Sequence, residues 1–359
     1  MIARATEPVS AQREVPSRAT FVFVASARSN EIRVFALDAA TGKLEQTSAL
    51  PIPPGVTPLA LDPRGRFLYA GFRSDGPAVV AFAIDPSSGR LERCGGAALD
   101  DPPMYLATDQ TGAFMLSASY AGAAFAVNAV DPAGRIESPS IQRSATPPFA
   151  HGIRTDPSNR FLFVTSLGGD AILQYEFEAR TGRATPNDVP LVRTPDGCGP
   201  RHLAFHPSEP VLYVNGELDG TVRSFALDRI TGRLEPLATA SMMPDGDAAP
   251  WAAELAVRSD GRYLYASERR TSTLAIFDLG GPPGALRRCA TVAVEDQPRS
   301  LALGSDGRWL VVAGELSNQL TLYAIDASTG ALDPLQRCAA GDKPVWVVFA
   351  DVPVRAERQ

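Results

Sequence analysis

One short turn returns seven times along this 359-residue chain, and it constrains the possible folds more than any other feature. Each copy has a glycine followed by a basic or small residue and usually by an apolar one, as in GKLE, GRLE and GALD. The glycines are Gly42, Gly89, Gly134, Gly182, Gly232, Gly284 and Gly330. They stand 45 to 52 residues apart, a period that suits one four-stranded propeller blade. The repeat therefore predicts seven blades.

The segments between these turns have a constant internal order. A segment such as PLALD leads through a turn such as DPRGR to FLYAG and AVVAFAID, and the glycine turn and an outer segment follow. Short apolar runs bounded by turn residues are typical of β-strands. The 30 glycines and 31 prolines agree with many strands joined by tight turns. We therefore predict an all-β chain.

The two ends of the chain complement each other. The first repeat lacks a PLALD-type inner strand, whereas PVWVVFADV at residues 344–352 supplies one that no further repeat follows. Pairing these ends would close the ring and leave no exposed sheet edge. We predict a seven-bladed β-propeller over residues 19–353, closed by the C-terminal strand in the N-terminal blade. Residues 1–18 are expected to form a disordered tail, and residues 354–359 a short one.

Two other architectures agree less well with the repeat. A different solenoid or a smaller propeller would also produce a repeat, but seven units and a divided blade disfavour both. A WD-type propeller is disfavoured because no Trp-Asp dipeptide recurs.

Charge and hydropathy exclude several partners. A net charge of -6 provides no basic field for a nucleic-acid backbone. No apolar run approaches the roughly 20 residues that span a bilayer, and the first 20 residues lack the apolar core of a signal peptide. We expect a cytoplasmic protein, a monomer or weak homodimer, without nucleic-acid or membrane partners.

The repeat also predicts which side chains meet at one mouth of the central channel. The inner strands would begin there with Thr57, Met104, His151, Arg201, Ala253, Arg299 and Trp346, and the next position includes His202 and Glu254. The second strands would end there with Arg73, Tyr120, Leu167, Glu217, Arg269 and Glu315. We call this set of positions the rim.

Ionisable side chains are concentrated at the rim, and half-enclosed charges need partners or a ligand. The candidate catalytic residues are His151, Arg201, Glu217, Arg269 and Arg299. The candidate substrate-binding residues are His202, Tyr120, Glu254, Arg73 and Trp346. Strand alternation predicts that the side chains of Arg201 and His202 point to opposite sides. Structural roles stay open: His151 could bond a loop, Glu217 could be a turn carboxylate, and Glu254 could pair with a neighbouring arginine.

Several segments resemble the bacterial cycloisomerase-type 6-phosphogluconolactonase family, which also includes fungal carboxymuconate lactonizing enzymes. These segments are CGPRHLAFHP (198–207), YVNGEL (213–218), WAAELAV (251–257), SDGRYLYASERRTS (259–272), QPRSLAL (297–303) and KPVWVVFA (343–350). The resemblance extends from Phe21 to Val352. It implies a seven-bladed propeller and metal-independent lactone chemistry that uses the five candidate catalytic residues. Around His151 the chain reads FAHGIRTD, where the bacterial lactonases tend to have a cysteine-histidine-serine stretch.

The expected function is hydrolysis of a small anionic sugar lactone, 6-phospho-D-glucono-1,5-lactone, without metal or cofactor. The arginines would hold the anionic tail and the developing oxyanion, and Glu217 or His151 would act as general base. One alternative is another sugar or carboxylated lactone, hydrolysed, cyclised or isomerised in ring size. A calcium- or zinc-dependent gluconolactonase is disfavoured by the arginine-rich rim. The other alternative is a nonenzymatic propeller that binds a partner.

Overall fold

The computed structural model describes residues 18–353, apart from residues 75 and 247. In this part of the chain, 28 β-strands form seven four-stranded antiparallel sheets. The sheets are the blades of a β-propeller, so the predicted fold class is confirmed. The predicted tails lie outside the described residues, except that Arg18 already belongs to the first strand.

The strands follow the predicted order. Blade one begins with β1 (Arg18–Ser26), β2 (Glu31–Asp38) and β3 (Lys43–Pro51). Blade two contains β4 (Val56–Leu61), β5 (Phe67–Phe72), β6 (Ala78–Ile84) and β7 (Leu91–Ala98), and blade three contains β8 (Tyr105–Thr108), β9 (Phe114–Ser119), β10 (Ala124–Ala129) and β11 (Gln142–Ala145). Blade four contains β12 (Ala150–Thr155), β13 (Phe161–Ser166), β14 (Ala171–Glu178) and β15 (Arg183–Arg193).

The remaining strands complete the ring. Blade five contains β16 (Pro200–Phe205), β17 (Val211–Gly216), β18 (Thr221–Leu227) and β19 (Leu234–Ser241), and blade six contains β20 (Ala252–Val257), β21 (Tyr263–Glu268), β22 (Thr273–Asp278) and β23 (Arg287–Ala293). Blade seven contains β24 (Pro298–Leu303), β25 (Trp309–Gly314), β26 (Gln319–Ile325) and β27 (Leu332–Ala339), and β28 (Pro344–Pro353) is the last strand. As predicted, β28 pairs antiparallel with β1 and closes the ring.

The seven repeat glycines are required by backbone geometry. All have a φ between 71° and 82°, a left-handed conformation that glycine adopts without a steric penalty. They connect the third and fourth strands of the blades. At Gly232, a Cβ atom would also lie 2.2 Å from the Phe161 ring of the preceding blade. The repeat is therefore visible in the sequence because each turn needs this residue type.

Aspartates stabilise the turns at the opposite face of the disc. Asp156 Oδ1 accepts hydrogen bonds from the backbone N–H groups of Arg160 (2.9 Å) and Phe161 (2.8 Å). In blade five, where the turn reads HPSEP, His206 Nδ1 instead accepts from the Glu209 N–H at 2.9 Å. His206 thus has a structural role in this turn.

The core consists of apolar side chains packed between adjacent blades. Phe23, Tyr69, Phe163 and Tyr265 lie on second strands and are fully buried. This packing holds the inner strands around a central channel. In residues 18–353 without 75 and 247, no helix is long and apolar enough to cross a membrane.

Candidate active site

Irregular pairing at the start of the inner strands shapes the rim. In blade five the register of β16 against β17 shifts between Pro200 and Leu203, and bulges of this kind break the alternation of side chains. Arg201 and His202 therefore both turn inward, and Arg201 Nη1 lies 3.1 Å from His202 Nε2. The prediction that their side chains point to opposite sides is wrong, because a regular strand was assumed.

A partly buried carboxylate between two guanidinium groups is the centre of the site. Glu217 Oε2 lies 2.8 Å from Arg201 Nε and 3.0 Å from Arg269 Nη2. Arg269 Nε also donates to the carbonyl of Trp251 at 3.1 Å, and its guanidinium lies 4.0 Å from the centroid of the Trp251 ring. These contacts hold the Glu217 carboxylate through Oε2.

The charge of this cluster is expensive to bury. Desolvation, followed by the positive charge of Arg201, lowers the pKa of Arg269 to about 9. Desolvation also lowers the pKa of Arg201, whose side chain is only 1% exposed. Because removing one member would leave the others uncompensated, Glu217, Arg201 and Arg269 should act as a unit.

His151 lies beside this cluster as a neutral imidazole. Burial, followed by the charges of Arg201, His202 and further arginines, lowers the pKa of His151 well below 6.5. Among the described residues, its Nδ1 atom has no hydrogen-bond partner. The ring centroid lies 6.2 Å from that of Tyr120, which stacks on Phe149 at 4.3 Å. Burial and the charge of Glu217 raise the pKa of Tyr120, which connects Tyr120 to the same cluster.

The cations at the outer part of the rim are more loosely paired. Arg299 Nη1 lies 3.7 Å from Glu315 Oε2, and Lys343 Nζ lies 3.3 Å from Glu315 Oε1. In the described part of the chain, the buried Arg299 Nε has no partner. Arg73 is exposed, and burial of part of the group together with the charge of Arg299 lowers the pKa of Arg73. One carboxylate thus serves several cations, which leaves positive charge for an anionic ligand.

Lys343 is the rim residue that the sequence reasoning missed. It directly precedes β28 in the KPVWVVFA segment. The prediction from the repeat covers only strand positions, whereas Lys343 lies in the loop that enters the last inner strand at this face.

Trp346 lies deeper than predicted. Its ring centroid is 5.6 Å from that of His202, so Trp346 shares the layer of His202 and not the outer layer of Arg201. The repeat period assigns Asp351 in the closing strand to the position that Asp62 has in blade two. The strand pairing gives Ala350 that position instead, so the closing strand is offset by one residue. The prediction that Trp346 lies level with Arg201 at the rim is wrong for this reason.

His202 and Glu254 form a buried support beneath Arg201. Because a guanidinium can only donate, the contact from Arg201 Nη1 makes His202 Nε2 an acceptor. His202 Nδ1 then carries the proton and donates to Glu254 Oε1 at 2.7 Å. Burial raises the pKa of Glu254 to about 7, and burial with the Arg201 charge lowers that of His202 well below 6.5. This geometry favours a positioning role; the substrate contacts predicted for both residues stay predictions.

The lowered pKa of His151 predicts how stability depends on pH. The unfolded chain takes up this proton as the pH falls through 6.5, whereas the folded protein does not, so stability present above pH 6.5 is lost below it. We expect the His151→Gln variant to lack this loss, which amounts to about 1.4 kcal/mol per pH unit. Urea unfolding of both proteins from neutral pH down to about pH 5 measures the difference. Tyr120→Phe, which does not titrate in this range, is the control; parallel pH curves for wild type and His151→Gln would contradict the prediction.

The described residues contain no evident metal-binding cluster. Within residues 18–353, leaving out 75 and 247, no group of three or more His, Cys, Asp or Glu side chains could hold a metal ion. That the reaction needs no metal and no cofactor stays a prediction.

Comparison with known proteins identifies the family. A family model described as a seven-bladed β-propeller lactonase matches residues 19–349. The chain belongs to this lactonase family. It is 37% identical over 327 residues to a 6-phosphogluconolactonase of Pectobacterium carotovorum, covering 91% of this chain and 97% of the relative. A 6-phosphogluconolactonase of Serratia proteamaculans is 34% identical over 280 residues, covering 77% of this chain and 83% of the relative.

A solved structure shows the same architecture. The periplasmic gluconolactonase of Pseudomonas aeruginosa superposes on the lactonase with a TM-score of 0.86 and 27% sequence identity. The superposition covers 94% of this chain and 100% of that chain. The two proteins therefore share the whole propeller.

Proposed function

We propose that this lactonase hydrolyses 6-phospho-D-glucono-1,5-lactone to 6-phosphogluconate. The observation that carries the proposal is the Glu217 carboxylate held by Arg201 and Arg269 beside the loosely paired cations of the rim. The two curated relatives are named for this activity. A base next to unneutralised cations suits a substrate that has both a lactone carbonyl and a phosphate.

Arg73 and Lys343 are the proposed phosphate ligands. Arg73 is exposed and the Lys343 side chain is 44% exposed, so both can reach a ligand at the mouth. Charge-assisted hydrogen bonds to phosphate are stronger than those between neutral groups. Binding of the phosphate there would direct the lactone ring towards the buried cluster.

Arg299 is the proposed donor to the oxyanion. Its Nε has no partner among the described residues and is buried, so a ligand oxygen would satisfy it. A preorganised donor at the position of developing charge stabilises the transition state of acyl transfer more than the ground state.

Glu217 is the proposed general base. Its carboxylate removes a proton from water as the water oxygen bonds to the lactone carbonyl carbon, and the carbonyl oxygen gains the negative charge. When the tetrahedral intermediate collapses, the bond to the ring oxygen breaks and Glu217 returns the proton to that oxygen. Neutral His151 accepts a hydrogen bond that orients the water or a substrate hydroxyl. No covalent intermediate is needed.

Unphosphorylated glucono-1,5-lactone is the second candidate substrate. The observation that favours it is the likeness to the Pseudomonas aeruginosa gluconolactonase over the whole propeller. The cluster around Glu217 would serve either lactone, so the outer cations decide between them.

The substrate is tested by comparing the two freshly prepared lactones. We expect a higher kcat/KM for the phosphorylated lactone, and a roughly tenfold increase of its KM in Arg73→Ala, since one charged hydrogen bond is lost. The KM for the unphosphorylated lactone should not change. Arg66→Ala removes an exposed arginine from the opposite face of the same blade and is the control. Equal kcat/KM for both lactones in the wild type would favour the second candidate.

Cellular location and assembly are part of the proposal. We place the reaction in the cytoplasm, although the solved Pseudomonas aeruginosa relative is periplasmic by its name. A monomer or weak homodimer, without nucleic-acid or membrane partners, also stays a prediction.

A further inference from the structure

A second cavity occupies the end of the central channel remote from the rim. Its volume is about 530 Å³, and it extends to the turns at the opposite face. Tyr105, Glu254 and Trp346 contribute to its wall next to the His202 layer. His202 lies between Arg201, which its Nε2 contacts, and Glu254 of the cavity wall, which its Nδ1 contacts.

One ring of equivalent positions around this cavity combines small side chains with a single arginine. Each blade contributes one residue of its inner strand to this ring, namely the residue that pairs with the third residue of the FLYAG-type second strand. The ring consists of Ala60, Ala107, Arg154, Ala204, Ala256, Ala302 and Val348. Because its neighbours are small, the Arg154 side chain has space around it and is exposed to the channel.

The guanidinium of Arg154 is only partly engaged. Its Nε donates to the Tyr105 hydroxyl at 2.9 Å. Among the described residues, neither of its Nη atoms makes a hydrogen bond or an ion pair with a carboxylate. Both Nη groups of the planar fork are thus free to bind two oxygens of one ligand.

The carboxylates of the cavity wall are occupied by other groups. Glu254 Oε1 accepts the His202 proton. Asp109 is fully buried, and its Oδ1 accepts the backbone N–H of Phe114 at 2.9 Å. Most of the other side chains that line the cavity are apolar, with Leu301 and Phe349 among them, although its surface also contains many polar atoms.

We propose that this cavity binds a small organic carboxylate, with the carboxylate on Arg154 and an apolar body against the channel wall. A monoanion matches the single guanidinium, whereas a phosphate dianion would lose hydration to apolar walls without a second cation. The site is independent of the lactonase chemistry at the rim, because the two are on opposite sides of the His202 layer.

Benzoate is a suitable probe, and benzamide is its neutral counterpart. By isothermal titration calorimetry we expect saturable one-to-one binding of benzoate to the full chain and at least about tenfold weaker binding of benzamide. Arg154→Met should weaken benzoate binding by a similar factor. Ala302→Phe, across the channel from Arg154, should narrow the cavity and weaken benzoate binding while the arginine stays in place.

Arg299→Ala distinguishes this cavity from the rim. We expect its affinity for benzoate to equal that of the wild type. Binding that is lost in Arg299→Ala but retained in Ala302→Phe would place benzoate at the rim and overturn the proposal. Equal affinity for benzoate and benzamide, or no saturable benzoate binding, would overturn it as well.

Discussion

The Glu217→Gln variant is expected to hydrolyse 6-phospho-D-glucono-1,5-lactone with a kcat lowered by about 10²- to 10⁴-fold, the usual contribution of a general base. The amide has nearly the same shape as the carboxylate but cannot accept the proton of the attacking water. Its remaining carbonyl oxygen can still face Arg201 and Arg269, which now lie 2.8 Å and 3.0 Å from Glu217 Oε2, but the negative charge between them is lost. The measurement is a coupled dehydrogenase assay at saturating lactone, with correction for spontaneous hydrolysis.

Glu295→Gln is the matched control for Glu217→Gln. Glu295 is also a buried carboxylate held by an arginine, with Arg337 Nε at 2.8 Å and Nη2 at 2.9 Å. Its partners Arg337 and Thr321 belong to the two outer strands of blade seven. We expect this variant to lose stability but to keep its kcat. If Glu217→Gln folds and retains wild-type kcat, Glu217 is not the base.

The largest combined effect on stability and activity is expected for Arg201→Met. Methionine fills much of the space, but it cannot pair with Glu217 or donate to His202 Nε2. Breaking a buried ion pair from one side typically costs about 3–5 kcal/mol of unfolding free energy. We also expect kcat to fall by about 10²-fold, because the carboxylate loses the contact that orients it. Urea unfolding and the same coupled assay measure the two effects separately.

Arg258→Met is the control for Arg201→Met. Arg258 is 5% exposed, lies at the opposite face of blade six and pairs with Asp260. Its loss should destabilise the fold without changing kcat. A folded Arg201→Met protein with wild-type activity would show that the cluster around Glu217 is structural only.

The ring of blades was predictable because its signals are local. A left-handed turn at Gly42 or Gly330 strongly favours glycine, so the residue types of the turns show the period directly. Closure was also predictable, since an inner strand was missing at one end and in excess at the other. These are properties of chain segments and do not depend on how distant side chains meet.

The five candidate catalytic residues were predicted as a set, and the structure brings them together at one mouth. Register accounts for their common location, since repeated strands place equivalent residues at equal depth; their catalytic roles stay predictions. The same reasoning failed for Trp346, where the closing strand is offset by one residue, and for the Arg201–His202 pair, where a bulge intervenes. Shifts of one residue change which side chains face the channel.

The sequence by itself determined the number of blades, the closing strand and most of the residues of the rim, because turn geometry and strand period act over short distances. Only the tertiary structure decided that Glu217 is shared by two arginines and that His202 supports Arg201 from below. It also decided that Arg154 opens into a separate cavity. The contacts of Glu217 with Arg269 and of Arg154 with Tyr105 join different blades, and the contact of Arg201 with His202 depends on a bulge within one strand. Their distances depend on such register shifts and on the packing of the whole ring.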